Sequence, residues 1–281
     1  MKKNLLRLFT LAMVAVCCLA TGCGGDKGKP VQNGLSGSIS TNGSTSMEKV
    51  IGILSESFMD KNKAVKITYD ATGSGTGIEA VATGRCDIGL SSRNLKDKEK
   101  SMGLEEKTLA RDGIAIIVNQ EAKIDNLTLK QVSDIFSGKV NGWQAVDGRE
   151  GNFACIGREA ASGTRDGFES ITKTKGKCKL TQELTSTGAV IEAVKNNPNA
   201  IGYASFASIN ARSGVKVLTI DGVACTPANI AQGSYSVQRP FNLIMSKDKE
   251  LSPQSKAFVE FMFSTEAAEL IKKAGAVPMV K

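Results

Sequence analysis

The chain has 281 residues and a formal charge of +8, with 41% hydrophobic and 23% charged residues, 29 Gly and 6 Pro. These values exclude a collagen-like or wholly disordered chain, and the length allows one large core or two modest ones. There is no histidine, which excludes a Ser-His-Asp or Cys-His arrangement, an HExxH zinc site and any histidine general base. Aromatics are only 5% and are not interleaved with a basic stripe, so nucleic acid is not expected as a partner.

The N-terminus reads as an address. Lys2, Lys3 and Arg7 precede an apolar run from Leu8 to Ala20, shorter than the ~20 residues a membrane-spanning helix needs. The run ends in Leu19-Ala20-Thr21-Gly22-Cys23, which resembles a bacterial lipobox with Cys23 as the lipidated residue. Residues 1–22 are thus expected to be a signal peptide, and 23–37, rich in Gly, Lys, Asp and Asn, a flexible tether with a reach of ~20 Å. Cleavage before Cys23 removes three basic and no acidic residues, so the formal charge falls from +8 to +5. Cys86, Cys155, Cys178 and Cys225 remain without CxxC spacing, which argues against a zinc site. Disulfides and buried thiols both stay open.

Folded structure is expected from Ser38. Ser38–Ser40 is a short strand, Thr41–Ser46 a turn, and Met47, Val50, Ile51, Leu54 and Phe58 lie on one helix face. Val65–Tyr69 alternates as a strand and enters Gly73-Ser74-Gly75-Thr76-Gly77, followed by a helix from Ile78 to about Thr83. Cys86–Leu90 is a third strand, ending at Ser91-Ser92-Arg93. Gly113–Asn119 is a near-continuous apolar strand, as for one buried on both faces. Leu129–Phe136 is helical. Phe153–Ile156 leads into Gly157-Arg158-Glu159-Ala160-Ala161-Ser162-Gly163-Thr164-Arg165-Asp166 and a helix bearing Phe168 and Ile171. A helix near Ala189–Lys195, strands at Ala200–Tyr203, Val215–Ile220 and Phe241–Ser246, and a helix over Ser255–Lys273 complete the chain. Strands alternating with helices at this spacing predict an α/β protein with mostly parallel sheets.

Three strand–turn–helix corners share one chemistry. Each offers hydroxyls and unpaired backbone N–H groups at the positive end of a helix, a ready site for phosphate or sulfate. In an open α/β sheet such corners gather beyond the carboxyl ends of the strands. Arg158 adds a planar fork suited to a tetrahedral oxyanion. An arginine serving only a ligand would matter little to folding. The glycine-rich run lacks the spacing of a dinucleotide fingerprint, and no P-loop motif occurs.

Gly43-Ser44-Thr45-Ser46, Gly73–Gly77, Asp87-Ile88-Gly89-Leu90-Ser91-Ser92-Arg93 and Arg158…Ser162-Gly163-Thr164-Arg165-Asp166 stand in the order seen in phosphate-binding lipoproteins of the ABC phosphate uptake system. Asp134–Lys139 with Trp143, and Ala200–Tyr203, resemble the same family's structural signatures. The resemblance implies a type II, two-lobed periplasmic-binding-protein-like fold. Residues 38–115 plus 240–281 would form one lobe and 116–239 the other, each a mostly parallel sheet flanked by helices. It implies a solute-binding protein, not an enzyme, without cofactor or metal. Such a protein captures inorganic phosphate between the lobes and delivers it to membrane-embedded ABC permease subunits. The molecule would be a monomer, anchored by lipid on Cys23 to the extracytoplasmic face of the cell membrane. Carried over by position, Ser44, Thr45, Ser46, Ser74, Ser92, Arg158, Ser162, Gly163 and Thr164 would bind the phosphate. Ser92 departs from the family's pattern, where an aspartate accepts the proton of hydrogen phosphate, so rejection of sulfate is less secure than binding itself.

Three other readings are weaker. One is a binding protein for another oxyanion or for a phosphorylated small molecule. Another is a penicillin-recognising enzyme: Ser46-Met47-Glu48-Lys49 matches SxxK and Ser208-Ile209-Asn210 matches SxN, but no KTG triplet follows. The last is a lipid-anchored interaction protein with no small ligand.

Overall fold

The structure, a computed structural model, describes residues 34–279. The expected signal peptide, Cys23 and most of the expected tether therefore lie outside the described residues. In chain order the elements are β1 (Ser36–Gly43), a 3₁₀ turn (Thr45–Met47), α1 (Glu48–Lys61), β2 (Ala64–Ala71), α2 (Ser74–Ala82), β3 (Ile88–Ser91), α3 (Asp97–Lys100) and β4 (Leu104–Asn119). There follow β5 (Asn126–Leu127), α4 (Leu129–Phe136), β6 (Ala154–Arg158), α5 (Gly163–Ile171), β7 (Gln182–Leu184), α6 (Thr187–Lys195) and β8 (Ala200–Ser205). The last are β9 (Val215–Val217), β10 (Thr219–Ile220), α7 (Pro227–Gln232), β11 (Gln238–Ser246), α8 (Pro253–Met262), α9 (Thr265–Ala274) and β12 (Val277–Pro278).

The strands run in the order β2-β1-β3-β11-β4-β8-β6-β7, with β9 and β12 also on β4. At one end β1 is parallel to β2 and β3. At the other, β6 is parallel to β7 and β8. The two crossing strands are antiparallel to their neighbours: β11 to β3 and β4, and β4 to β8. β4 is the shared member. Its first half pairs with β11 and its second half, Ile114–Val118, with β8.

The apolar side chains fall into two main cores, one on each side of this shared strand. One joins Ile39, Met47, Val50, Ile51, Leu54 and Phe58 to Phe241, Phe258 and Ile271, from opposite ends of the chain. The stripe expected on α1 is thus wholly buried. The other is contiguous in sequence, from Ile114 to Val237, and includes Phe136, Phe168 and Tyr203. Trp143 is fully buried there, tilted 4.4 Å from Phe153, and donates its indole N–H to the Asn199 carbonyl. It packs a loop.

Several elements differ from expectation: the strand expected over Val215–Ile220 is two, β9 paired with β4 and β10 paired with β5, and three further differences have clear causes. α2 begins inside the glycine-rich run, at Ser74, because Gly73 takes a left-handed φ of 104° and starts the helix early. Gly77 then lies against β1, where a Cβ would stand 2.4 Å from the Asn42 carbonyl oxygen, so only glycine lets helix and strand approach this closely. β4 begins nine residues before the apolar run, because its polar first half, with Glu105, Glu106 and Lys107 exposed, is held as a strand by pairing with β11. The C-terminal helix is two helices, because the Ser264 side chain accepts from Ala267 N–H and caps a fresh start. The four cysteines are free thiols. Burial pushes Cys155 up to about 12 and Cys86 and Cys178 up to about 11.

Candidate functional site

Each corner is built by local chemistry that leaves polar groups pointing one way. After β1, the Ser44 hydroxyl accepts from Ser46 N–H and caps the 3₁₀ turn. After β6, the Ser162 hydroxyl accepts from Arg165 N–H and caps α5. Capping therefore occupies one lone pair of each serine and leaves its proton free. Between these corners, α2 presents Ser74, and β3 delivers Ser92 just past its end.

The corners meet. Ser44 donates to Ser92 at 2.8 Å, and the Ser74 and Ser92 hydroxyls lie 3.2 Å apart. The Ser92 N–H also donates to Ser74 Oγ at 3.0 Å. Across the seam, Ser46 Oγ and Thr164 Oγ1 lie 2.8 Å apart. Gly163 sits directly over the serine cluster, where a Cβ would stand 2.4 Å from Ser74 Oγ and 2.6 Å from Ser92 Oγ. The structure links eight of the nine expected residues in one buried group, with Ser162 buried beside them as the cap of α5. Ser46, Ser74 and Ser92 are fully buried, and Arg158 is only 2% exposed.

Arg158 is held more tightly than expected. Its Nη2 donates to Glu159 at 2.8 Å and its Nε at 3.0 Å, so the paired edge of the fork is spent on a carboxylate. The Leu184 and Thr185 carbonyls accept from the same two nitrogens. Only Nη1 faces the hydroxyls, reaching Thr45 at 2.9 Å and Thr187 at 3.2 Å. Arg93 and Arg165 are engaged elsewhere. Arg93 pairs with Glu99 through both ends of its fork, at 2.6 and 2.8 Å. Arg165 pairs with Glu169 and Glu183.

Sequence reasoning missed Thr187. Its hydroxyl lies 3.0 Å from both Thr45 Oγ1 and Ser46 Oγ and accepts from Arg158, and its N–H donates to Thr45. The signal was available: Thr185-Ser186-Thr187-Gly188 is a fourth Ser/Thr/Gly helix start, with Ser186 capping α6. Two tyrosines brace the site. Tyr203 accepts from the Arg158 N–H at 3.1 Å, and Tyr69 donates to the Ser44 carbonyl. Burial raises both phenols above their ordinary range, so both stay protonated at neutral pH.

Hydroxyls, amide N–H groups at helix starts and one guanidinium make a buried cluster whose donors match the hydrogen-bonding needs of a small anion. Among the described residues no cluster of three His, Cys, Asp or Glu could hold a metal ion.

Comparison with known proteins agrees with this chemistry. A family model described as the PBP superfamily domain matches residues 29–266. A Clostridium perfringens protein, described as the substrate-binding protein of a phosphate ABC transporter and solved with bound phosphate, is 34% identical over 86% of this chain and all of its own, with a TM-score of 0.83. An ABC-type phosphate transport receptor from Vibrio cholerae is 31% identical over 85% of this chain and 99% of its own, with a TM-score of 0.69. The phosphate-binding protein PstS of Bacillus subtilis is 28% identical, covering 99% of this chain and 95% of its own. The resemblance carried by the serine, glycine and arginine motifs is thereby borne out, and the chain belongs to the PBP superfamily.

Proposed function

We propose that this protein is a solute-binding protein, not an enzyme, which captures inorganic phosphate between two lobes and delivers it to an ABC importer. The observation that carries this reading is the convergence of four helix starts and Arg158 on one buried, donor-rich cluster. Ser44, Thr45, Ser46, Ser74, Ser92, Arg158, Ser162, Gly163 and Thr164 are proposed to surround the anion, with Thr187 added. Phosphate meets Arg158 through Nη1, displacing the threonine hydroxyls that occupy it. Residues 38–115 with 240–281, and 116–239, are proposed as the lobes, a division supported by the two separate apolar cores.

We also propose that residues 1–22 are removed and that lipid on Cys23 anchors a monomer at the extracytoplasmic face, beside its permease subunits. Membrane fractionation tests this. A Cys23→Ser protein is expected in the soluble fraction, and full retention in the membrane overturns the anchor.

Titration calorimetry with phosphate, sulfate and molybdate tests the ligand. Phosphate is expected to bind one-to-one and tightest. Sulfate is the competitor to watch, because Ser92 is a hydroxyl whose neighbours are Ser44 and Ser74 and carries no repelling charge. Sulfate binding ten times tighter than phosphate would reassign the protein to another oxyanion.

A further inference from the structure

Beneath the first turns of α5 lies a buried cation that the site as described does not use. Arg239, on β11, stands directly opposite Asp112 in the pairing with β4. Its side chain is 3% exposed and Asp112 is fully buried. Nη2 lies 3.1 Å from an Asp112 oxygen, yet none of the three guanidinium nitrogens has a hydrogen-bond partner among the described residues. A buried guanidinium in that state is costly, and native proteins rarely leave one without a reason.

Its position supplies one. A Cβ on Gly167, one turn after Gly163 and Thr164, would touch the stem of Arg239 at 3.6 Å. The Asp112 oxygen that meets Arg239 also accepts from Ser205 at 2.8 Å, and that hydroxyl lies 3.4 Å from the Ser46 carbonyl oxygen. Asp112's other oxygen accepts from Ala207 N–H at 3.0 Å. Asp112 is thus engaged by Ser205 and Ala207 as well as by Arg239, whose guanidinium carbon lies 4.9 Å from the Phe241 ring centre and whose nitrogens keep unpaired donors among the described residues. Burial, opposed by the Asp112 carboxylate and aided by the positive charge of Arg158, lowers Arg239 to about 10, and burial raises Asp112. Two guanidinium groups close enough to disfavour each other in an enclosed space are what a doubly charged anion relieves.

We propose that Arg239 is a second cation of the phosphate site, held in register by Asp112 and acting on the anion from the floor beneath α5. The proposal rests on the phosphate reading above. It makes Arg239 a positioning and charge-supplying residue, whereas Arg158 acts from the wall.

The test is calorimetry with phosphate on the full chain, alongside thermal melts without phosphate. Wild type is titrated first, and its failure to bind phosphate would overturn the ligand assignment and not the role of Arg239. Replacing both partners, Arg239→Met with Asp112→Asn, removes the ion pair without leaving a buried lone charge. The double variant is expected to melt within a few degrees of wild type and to bind phosphate at least tenfold more weakly. Phosphate affinity within threefold of wild type would show a purely structural pair and overturn the proposal. Should the double variant not fold, Arg239→Lys against Arg239→Gln decides. The charged variant is expected to bind at least tenfold tighter than the neutral one, and equal affinities refute it.

Discussion

Gly163→Ala isolates closure from chemistry, since it removes no donor and no charge. Gly163 is the first residue of α5 and needs no unusual φ, so alanine suits its backbone and favours the helix by ~0.4–1 kcal/mol through a less flexible unfolded chain. The obstacle lies across the seam. The new methyl would stand 2.4 Å from Ser74 Oγ, 2.6 Å from Ser92 Oγ and 3.0 Å from the Ser92 carbonyl carbon. A serine can rotate its hydroxyl away, but the backbone carbon cannot, so α5 must back off from Ser92. Such overpacking costs ~1–3 kcal/mol. Retreat also removes at least one hydrogen bond to a charged ligand, ~1.5–3 kcal/mol. Together, at ~2.5–6 kcal/mol, these weaken phosphate binding by roughly 60-fold to 20,000-fold. The protein without ligand can relax by opening, so its melting temperature should match wild type or rise slightly. Calorimetry and ligand-free melts on the same samples measure both. Phosphate affinity within threefold of wild type would refute the reasoning that α5 and the serine cluster close on the anion together.

Arg158→Ala is expected to lose ~2–5 kcal/mol of phosphate binding, about 30-fold to several-thousand-fold, read by calorimetry. Contrary to the sequence-based expectation, it also destabilises the fold by about 2 kcal/mol in urea melts, because the Leu184 and Thr185 carbonyls lose their donors. Thr187→Val keeps the shape and deletes the hydroxyl shared by Arg158, Thr45 and Ser46, so phosphate affinity should fall about tenfold, ~1.4 kcal/mol, with folding intact. Burial alone would raise the Glu99 carboxyl, but the Arg93 fork and the Lys96 N–H hold it below the ordinary range. Its stabilisation is therefore complete above ~4.3, the ordinary glutamate value, and is lost as pH falls further through the lower folded value. Melts from pH 6 to 3 should show a shallower acid slope for Glu99→Gln, and parallel slopes would contradict this.

How far the sequence reveals the site depends on whether a group's role is local. Ser44 and Ser162 are legible because capping is decided within three residues. The α1 stripe is legible because helical period alone sorts its faces. Thr187 carries the same local signal as the other corners, but only the fold brings it to Thr45 and Arg158. The first half of β4 reads as polar, and only its pairing with β11 makes it a strand. The Glu159 grip on Arg158 is adjacent in sequence, yet its direction depends on strand β6 ending at residue 158. Asp112 and Arg239 show no pattern at all until β4 and β11 align them.

The split of the apolar clusters bears on the order in which the chain can fold. One cluster draws all its buried residues from between 114 and 237, whereas the other takes Ala207 from that span and needs Phe241, Phe258 and Ile271 to cover Ile39 and Leu54. During synthesis the contiguous cluster can consolidate as soon as residue 237 is available, with β4 already paired to β8. The N-terminal strands are made first but must wait, half covered, for β11 and the last two helices. Closing so long a loop is entropically slow. The strands β1 to β3 are therefore the last to gain native protection, and their premature compaction is discouraged by the topology itself.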